Sequence, residues 1–350
     1  MKRNANLLLS LYKWASRQDE NYTSEAFVHL LNFLVVNEPE IAAVLLQKVT
    51  NGFLSFGENG LDISEVEILT QQSTTYGRPD IEIKTIDKLA YIEVKVESNL
   101  GHEQLDNYRQ ALRCSGKKDT FLILLSRYAI TSEGEQPDLV IRWYEIADWL
   151  ESELENMENQ SITGYVIEQF LGYLQEKNMT ITKVKSGISD GVRAHHTQLG
   201  SESIFAKRNR SLSNLTAYPE LHSLHNLLMM MGEAVINLNI APKPRFDSGK
   251  QQGGWTGYNI NNLQYFFSIY IRNPEELVFE THEYKIDTSK YDQKLGRIEI
   301  VDGKTKWFNT FDLTSSEINF LSQPREVQIR LLEKFLKNCY EYSQLLHTDV

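Results

Sequence analysis

Residues 23 to 36, TSEAFVHLLNFLVV, place Phe27, Leu30, Leu31 and Leu34 at the spacing of one helix face, with Thr23 and Ser24 available as N-caps. A second helical pattern covers residues 40 to 56, after which the period changes to two. EVEIL (65 to 69), DIEIK (80 to 84) and LAYIEVKVE (89 to 97) alternate apolar and polar positions and predict strands. Helical spacing returns in HEQLDNYRQALR (102 to 113) through Leu105, Tyr108 and Leu112. TFLILLS (120 to 126) is a short apolar run suited to a strand buried on both faces, and DLVIRWY leads into a helix over EIADWLESELENM. Helix, three strands, helix, two strands and helix predict a mixed sheet flanked by helices, an α/β domain over residues 1–182.

Residues 183–218 are polar and rich in Ser, Gly and Asn, which predicts a linker or long loop. Beyond them, a helix around LHSLHNLLMMMGEAV precedes short aromatic strands (GWTGYNI, YFFSIYI, ELVFETH, RIEIV), and a last helix runs through residues 315–346. Residues 219–350 therefore read as an α+β domain of unassigned role, with selection of substrate, partner or oligomeric state as the candidates.

Composition narrows the class. The chain of 350 residues has 41% hydrophobic and 24% charged residues, as an ordinary globular protein does. Cys114 and Cys339 cannot form a disulfide framework, and the start MKRNANLLLSLYKW has too short an apolar core for a signal peptide, so a cytoplasmic location is expected. Every apolar run is interrupted by a polar residue before it could span a membrane. The net charge of −11 argues against a surface coated with phosphate-binding groups. It leaves room for a local basic groove, or for a metal ion that brings its own positive charge.

The chemistry concentrates in GRPDIEIKTIDKLAYIEVKVESNLGHEQLDNYRQAL, residues 77 to 112. If DIEIK and LAYIEVKVE form a hairpin turning at Thr85 to Lys88, Asp80 stands opposite Glu93. Facing side chains on an antiparallel pair have Cβ atoms about 4.5–5.5 Å apart, where two like charges destabilise the pairing. A divalent cation removes that repulsion. Lys95 projects from the same face as Glu93, while Ile92, Val94 and Val96 point into the core. Hard oxygen ligands suit Mg²⁺ or Mn²⁺, which take one or two carboxylates and accept phosphate oxygens. Asp80 and Glu93 would hold the ion, and Lys95 would serve the attacking water. The same alternation also fits a half-buried hairpin with one wet face, and spacing alone does not separate the two.

Pro79-Asp80, a turn and Glu93-Val94-Lys95, followed by a helix with Gln104-Leu105 and Tyr108, resemble the PD-(D/E)xK nuclease superfamily and its QxxxY element. Upstream, ENYTSEAFVHLL (20 to 31) is similar to the first helix of families within it. The resemblance covers about residues 10 to 150. It implies a restriction-endonuclease-like fold and a metal-dependent nuclease in bacterial or phage restriction or defence, with DNA as substrate and RNA as the alternative. A catalytically silent nucleic-acid-binding or sensor protein is the other alternative. The implied catalytic set is Asp80, Glu93, Lys95, Gln104 and Glu20. Glu20 matches the first-helix metal ligand, with Glu25, one turn along, as fallback. Gln104 would contact the lysine, a water or a phosphate, with Tyr108 packed behind it. A homodimer, so that two sites address two strands, is also implied, while the sequence leaves open whether a partner protein or trigger ligand releases activity.

Arg78 could reach a phosphate, and the run Lys207, Arg208 and Arg210 is the best basic candidate for nucleic-acid contact in an acidic chain. Trp255, Tyr258, Tyr265, Phe266, Phe267 and Tyr270 could form a stacking platform for unpaired bases, although alternation in YFFSIYI assigns half of them to a core.

Overall fold

In the computed structural model, which describes residues 6–15, 19–57, 60–96, 98, 100–128, 130, 134–157, 161–184, 187–201, 222–238, 245–249, 255–260, 265–281, 286–301 and 303–346, the chain divides into two units, Met1–Thr180 and Ile181–Val350. In the first, α1 (Leu7–Ala15), α2 (Asp19–Asn37) and α3 (Pro39–Val49) precede β1 (Glu67–Thr70), β2 (Ile81–Lys84) and β3 (Lys88–Lys95). Then come α4 (Gln104–Cys114), β4 (Asp119–Ser126), β5 (Leu139–Arg142), α5 (Trp143–Glu155) and α6 (Ile162–Glu176). The strands lie in chain order, antiparallel from β1 to β3 and parallel from β3 to β5, which makes the sheet mixed.

Strand periodicity decides what each face meets. Ala90, Ile92, Val94 and Val96 of the β3 region join the main core with Phe27, Leu30, Leu31 and Leu34 of α2. Leu89 and Tyr91 point the other way, against Leu105, Tyr108 and Leu112 of α4. A hairpin with one wet face would leave Glu93 and Lys95 in water, yet they are only 1% and 5% exposed. The wet-hairpin alternative therefore fails.

Phe27 is the pivot of the main core. Its ring meets Trp143 edge-on at 5.3 Å and stacks on Phe170 at 5.8 Å, joining α2 to α5 and α6. Phe27→Ala should lower unfolding free energy by about 3–5 kcal/mol, read as a lower midpoint in urea, because a fully buried aromatic leaves a cavity. A midpoint equal to that of the parent protein would contradict this packing.

The second unit opens with a helix where a linker is expected. Part of the segment expected to be a linker is α7 (Ile188–Ser201), whose Ile188 and Val192, one turn apart, are buried. Tertiary burial there overrides the weak helix propensity of a Gly- and Ser-containing sequence. Next come α8 (His222–Asn237), β6 (Arg245–Gly249), β7 (Trp255–Ile260), β8 (Tyr265–Tyr270), β9 (Asn273–Thr281), β10 (Arg297–Val301), β11 (Lys304–Asp312) and α9 (Arg325–Leu345). The last helix starts ten residues later than its apolar pattern suggests, because Pro324 sets its boundary. The six strands form an antiparallel sheet in the order β10-β11-β9-β8-β7-β6.

Its register sorts the aromatic residues. Tyr258, Phe267 and Phe279 are successive cross-strand partners, and on their face Tyr265, Phe267 and Trp307 pack on Tyr340, Phe335 and Tyr342 of α9. Trp255, Phe266 and Tyr270 occupy the opposite face. No helix among the described residues is long and apolar enough to cross a membrane.

Candidate active site

β2 and β3 pair with Ile81 opposite Ile92 and Lys84 opposite Leu89, the register expected from a turn at Thr85 to Lys88. Carried one residue beyond β2, that register sets Asp80 against Glu93. Ionised Asp80 works against ionisation of Glu93, the electrostatic sign of two facing carboxylates. α4 begins at Gln104 and α2 begins beside Glu20, so four chain segments deliver side chains to the end of the central strand β3.

Glu93 is the centre of this cluster. Its Oε1 accepts from Lys95 Nζ at 2.6 Å and from Gln104 Nε2 at 2.6 Å. Its Oε2 is buried and has no hydrogen-bond partner among the described residues. A buried polar atom left without a partner costs about 1–3 kcal/mol, more when charged, so this oxygen calls for a proton or a cation. Burial, reinforced by Asp80, pushes the Glu93 carboxyl up to about 8.

Asp80 is held at both oxygens. Oδ2 accepts from the Val94 N–H at 2.8 Å and Oδ1 from Gln71 Nε2 at 3.2 Å. Burial raises its carboxyl, against the opposing influence of the Val94 hydrogen bond and Lys95. For Lys95 burial acts downward, but attraction from Glu93, Glu20 and Asp80 outweighs it, and the net shift is upward. Lys95 is therefore a fixed cation rather than a neutral base.

Gln104 Nε2 donates to Glu93, and among the described residues it makes no hydrogen bond to Lys95, one of the three contacts implied by resemblance. Its Oε1 accepts from the Gly101 N–H at 3.0 Å, and its Nε2 also donates to the Tyr108 hydroxyl at 3.2 Å. Tyr108 in turn donates to the Arg78 carbonyl at 3.0 Å and meets Tyr91 edge-on. This chain ties α4 to the residue before Pro79. The Arg78 side chain itself is exposed.

Glu20 reaches the cluster and Glu25 does not. Glu20 Oε2 lies 3.6 Å from Lys95 Nζ, and Oε1 accepts from the N–H groups of Val96 and Ser98 and from the Ser98 hydroxyl. Glu25 is exposed and accepts from Thr70 Oγ1 at 2.6 Å. Both oxygens of Glu20 are thus committed to the end of β3 and to Lys95. Among the described residues no group of three or more His, Cys, Asp and Glu side chains is placed to hold a metal ion. The expected three-carboxylate ligand set reduces to Asp80 and Glu93, with Glu20 as partner of Lys95. Two carboxylates, one with an orphaned oxygen, still fit a hard cation that keeps several waters.

Under the nuclease activity expected from the sequence, Glu20→Ala should reduce cleavage at least about tenfold by freeing Lys95, whereas Glu25→Ala should stay within twofold of the parent. Parallel assays of the two variants check this, and equal activities would remove α2 from the site. Lys207, Arg208 and Arg210 lie outside the described residues. Gln71, Asn21 and Ser98 had no signal in the sequence, since each contacts the cluster only through chain segments that folding brings together. Comparisons with family models, curated proteins and solved structures return no match to this chain.

Proposed function

We propose that the first unit is a nuclease that uses Mg²⁺ or Mn²⁺ to hydrolyse phosphodiester bonds, with DNA as its substrate. The observation that carries this reading is the orphaned Glu93 Oε2, buried opposite Asp80 and beside a lysine that stays charged. Three carboxylates, Asp80, Glu93 and Glu20, surround one cation, Lys95. Once Glu93 is ionised, a divalent ion supplies the two positive charges that this cluster lacks.

Asp80 and Glu93 would hold the ion. When bound, it lowers the pKa of a coordinated water and offsets charge developing on the phosphate. Lys95 presents N–H donors to the attacking water or to a phosphate oxygen, with Glu93 and Glu20 fixing its ammonium on two sides. Gln104 and Lys95 both engage Oε1 of Glu93, so Oε2 would be the oxygen available to the ion. Burial of Glu93 and Lys95 lowers the local dielectric and strengthens each of these interactions.

Supercoiled plasmid and a matched RNA, each incubated with Mg²⁺, Mn²⁺ or EDTA, test the proposal. Metal-dependent nicking of the plasmid is the expected result. Cleavage confined to RNA would overturn the assignment of substrate, and intact nucleic acid in every lane would overturn the activity.

A further inference from the structure

We infer that Gln71 is a positioning residue for Asp80, acting through an amide relay that also registers α2 against the sheet. The inference rests on the nuclease reading and adds to it a residue no motif contains. Gln71 follows the last residue of β1, and its N–H donates to the Asp80 carbonyl at 3.0 Å, extending the β1–β2 ladder one pair beyond Thr70 and Ile81. Its backbone has φ of 53°, the left-handed region that favours glycine. A side chain kept in that region marks a position over-determined by its surroundings, and such positions cluster at functional sites.

Here the surroundings are two oxygens. Gln71 Nε2 donates to Asn21 Oδ1 at 3.0 Å and to Asp80 Oδ1 at 3.2 Å, which uses both of its amide hydrogens. Asn21 is the neighbour of Glu20 on α2. The Val94 N–H holds the other oxygen of Asp80. The carboxylate plane is thereby fixed from opposite sides, once by the central strand and once by Gln71. The same amide links the helix that carries Glu20 to the hairpin that carries Asp80 and Glu93. A glycine would satisfy the backbone at this position and leave Asp80 Oδ1 without its side-chain donor.

That difference supplies the test. Gln71→Gly relieves the left-handed strain and removes the amide, while Gln71→Met keeps the length of the side chain without its donors. Binding of Mn²⁺, measured by calorimetry on the full chain, should weaken about ten- to a hundredfold in both, the range seen when a group supporting a ligand is lost. The Gly variant should melt no lower than the parent. Parent-like Mn²⁺ affinity in either variant with an unchanged melting temperature would overturn the role of Gln71. If the parent protein and Asp80→Ala bind Mn²⁺ equally weakly, the metal-site reading itself fails, and this inference fails with it.

Discussion

Asp80→Asn and Lys95→Met should each lower plasmid cleavage by at least about a hundredfold, the scale expected when a preorganised charge at the reacting centre is removed. The two variants should differ in stability. Asp80→Asn keeps the shape of the side chain and an oxygen that can still accept from the Val94 N–H, but turns its amide nitrogen toward the Gln71 donor, so its melting temperature should fall only slightly. Lys95→Met removes the one cation among three carboxylates, two of which it contacts directly, in a place where Lys95 is 5% exposed. Breaking a buried ion pair from one side typically costs about 3–5 kcal/mol. Proton uptake by Glu93, already raised to about 8, softens that loss. Cleavage and thermal melting measured on the same preparations separate the effects. Near-parent cleavage by Asp80→Asn would sink the site, whatever its stability.

The hairpin at the centre of this site was legible before folding, because a tight turn between two alternating strands leaves one register that buries Ile92 and Val94 together. That register alone brings Asp80 to Glu93. The choice between Glu20 and Glu25 was not legible. Both precede or enter the same apolar face, and only the packing of α2 on the sheet shows that Glu20 meets Lys95 while Glu25 meets Thr70. Gln71 was hidden for another reason, since a left-handed glutamine after a strand leaves no trace in hydrophobic periodicity. In the second unit, β11 has no clear strand signature because both of its faces mix polar and aromatic residues, with buried Lys306 on one and Asn309 beside Trp307 on the other. Helix α7 has no clear helical signature because its glycines and serines are poor helix formers, and burial of Ile188 and Val192 is a fact of tertiary structure alone.

Cation affinity should rise with pH up to about 8, by as much as about tenfold per pH unit, because Glu93 must lose a proton before it can coordinate. The direction follows from its burial. A carboxyl ordinarily near 4.5 is pushed up to about 8 in the fold, so folding favours its protonated form. The stability this contributes is fully present below about pH 4.5 and is lost as pH rises through about 8. Across that window the cation-free protein should become less stable while its affinity for Mg²⁺ or Mn²⁺ grows. Saturating cation should therefore raise the melting temperature more at pH 8 than at pH 6. Lys95, shifted upward, stays charged throughout and adds no slope, whereas the raised Asp80 carboxyl adds to the slope at the acidic end. Calorimetry with Mn²⁺ at pH 6, 7 and 8 measures both the affinity and the protons released. Glu93→Gln, which mimics the protonated form, should bind weakly with a nearly flat profile over pH 7 to 8. The same steep dependence in parent and variant would show that another group loses the proton, and Glu93 would then not be the group that couples cation binding to pH.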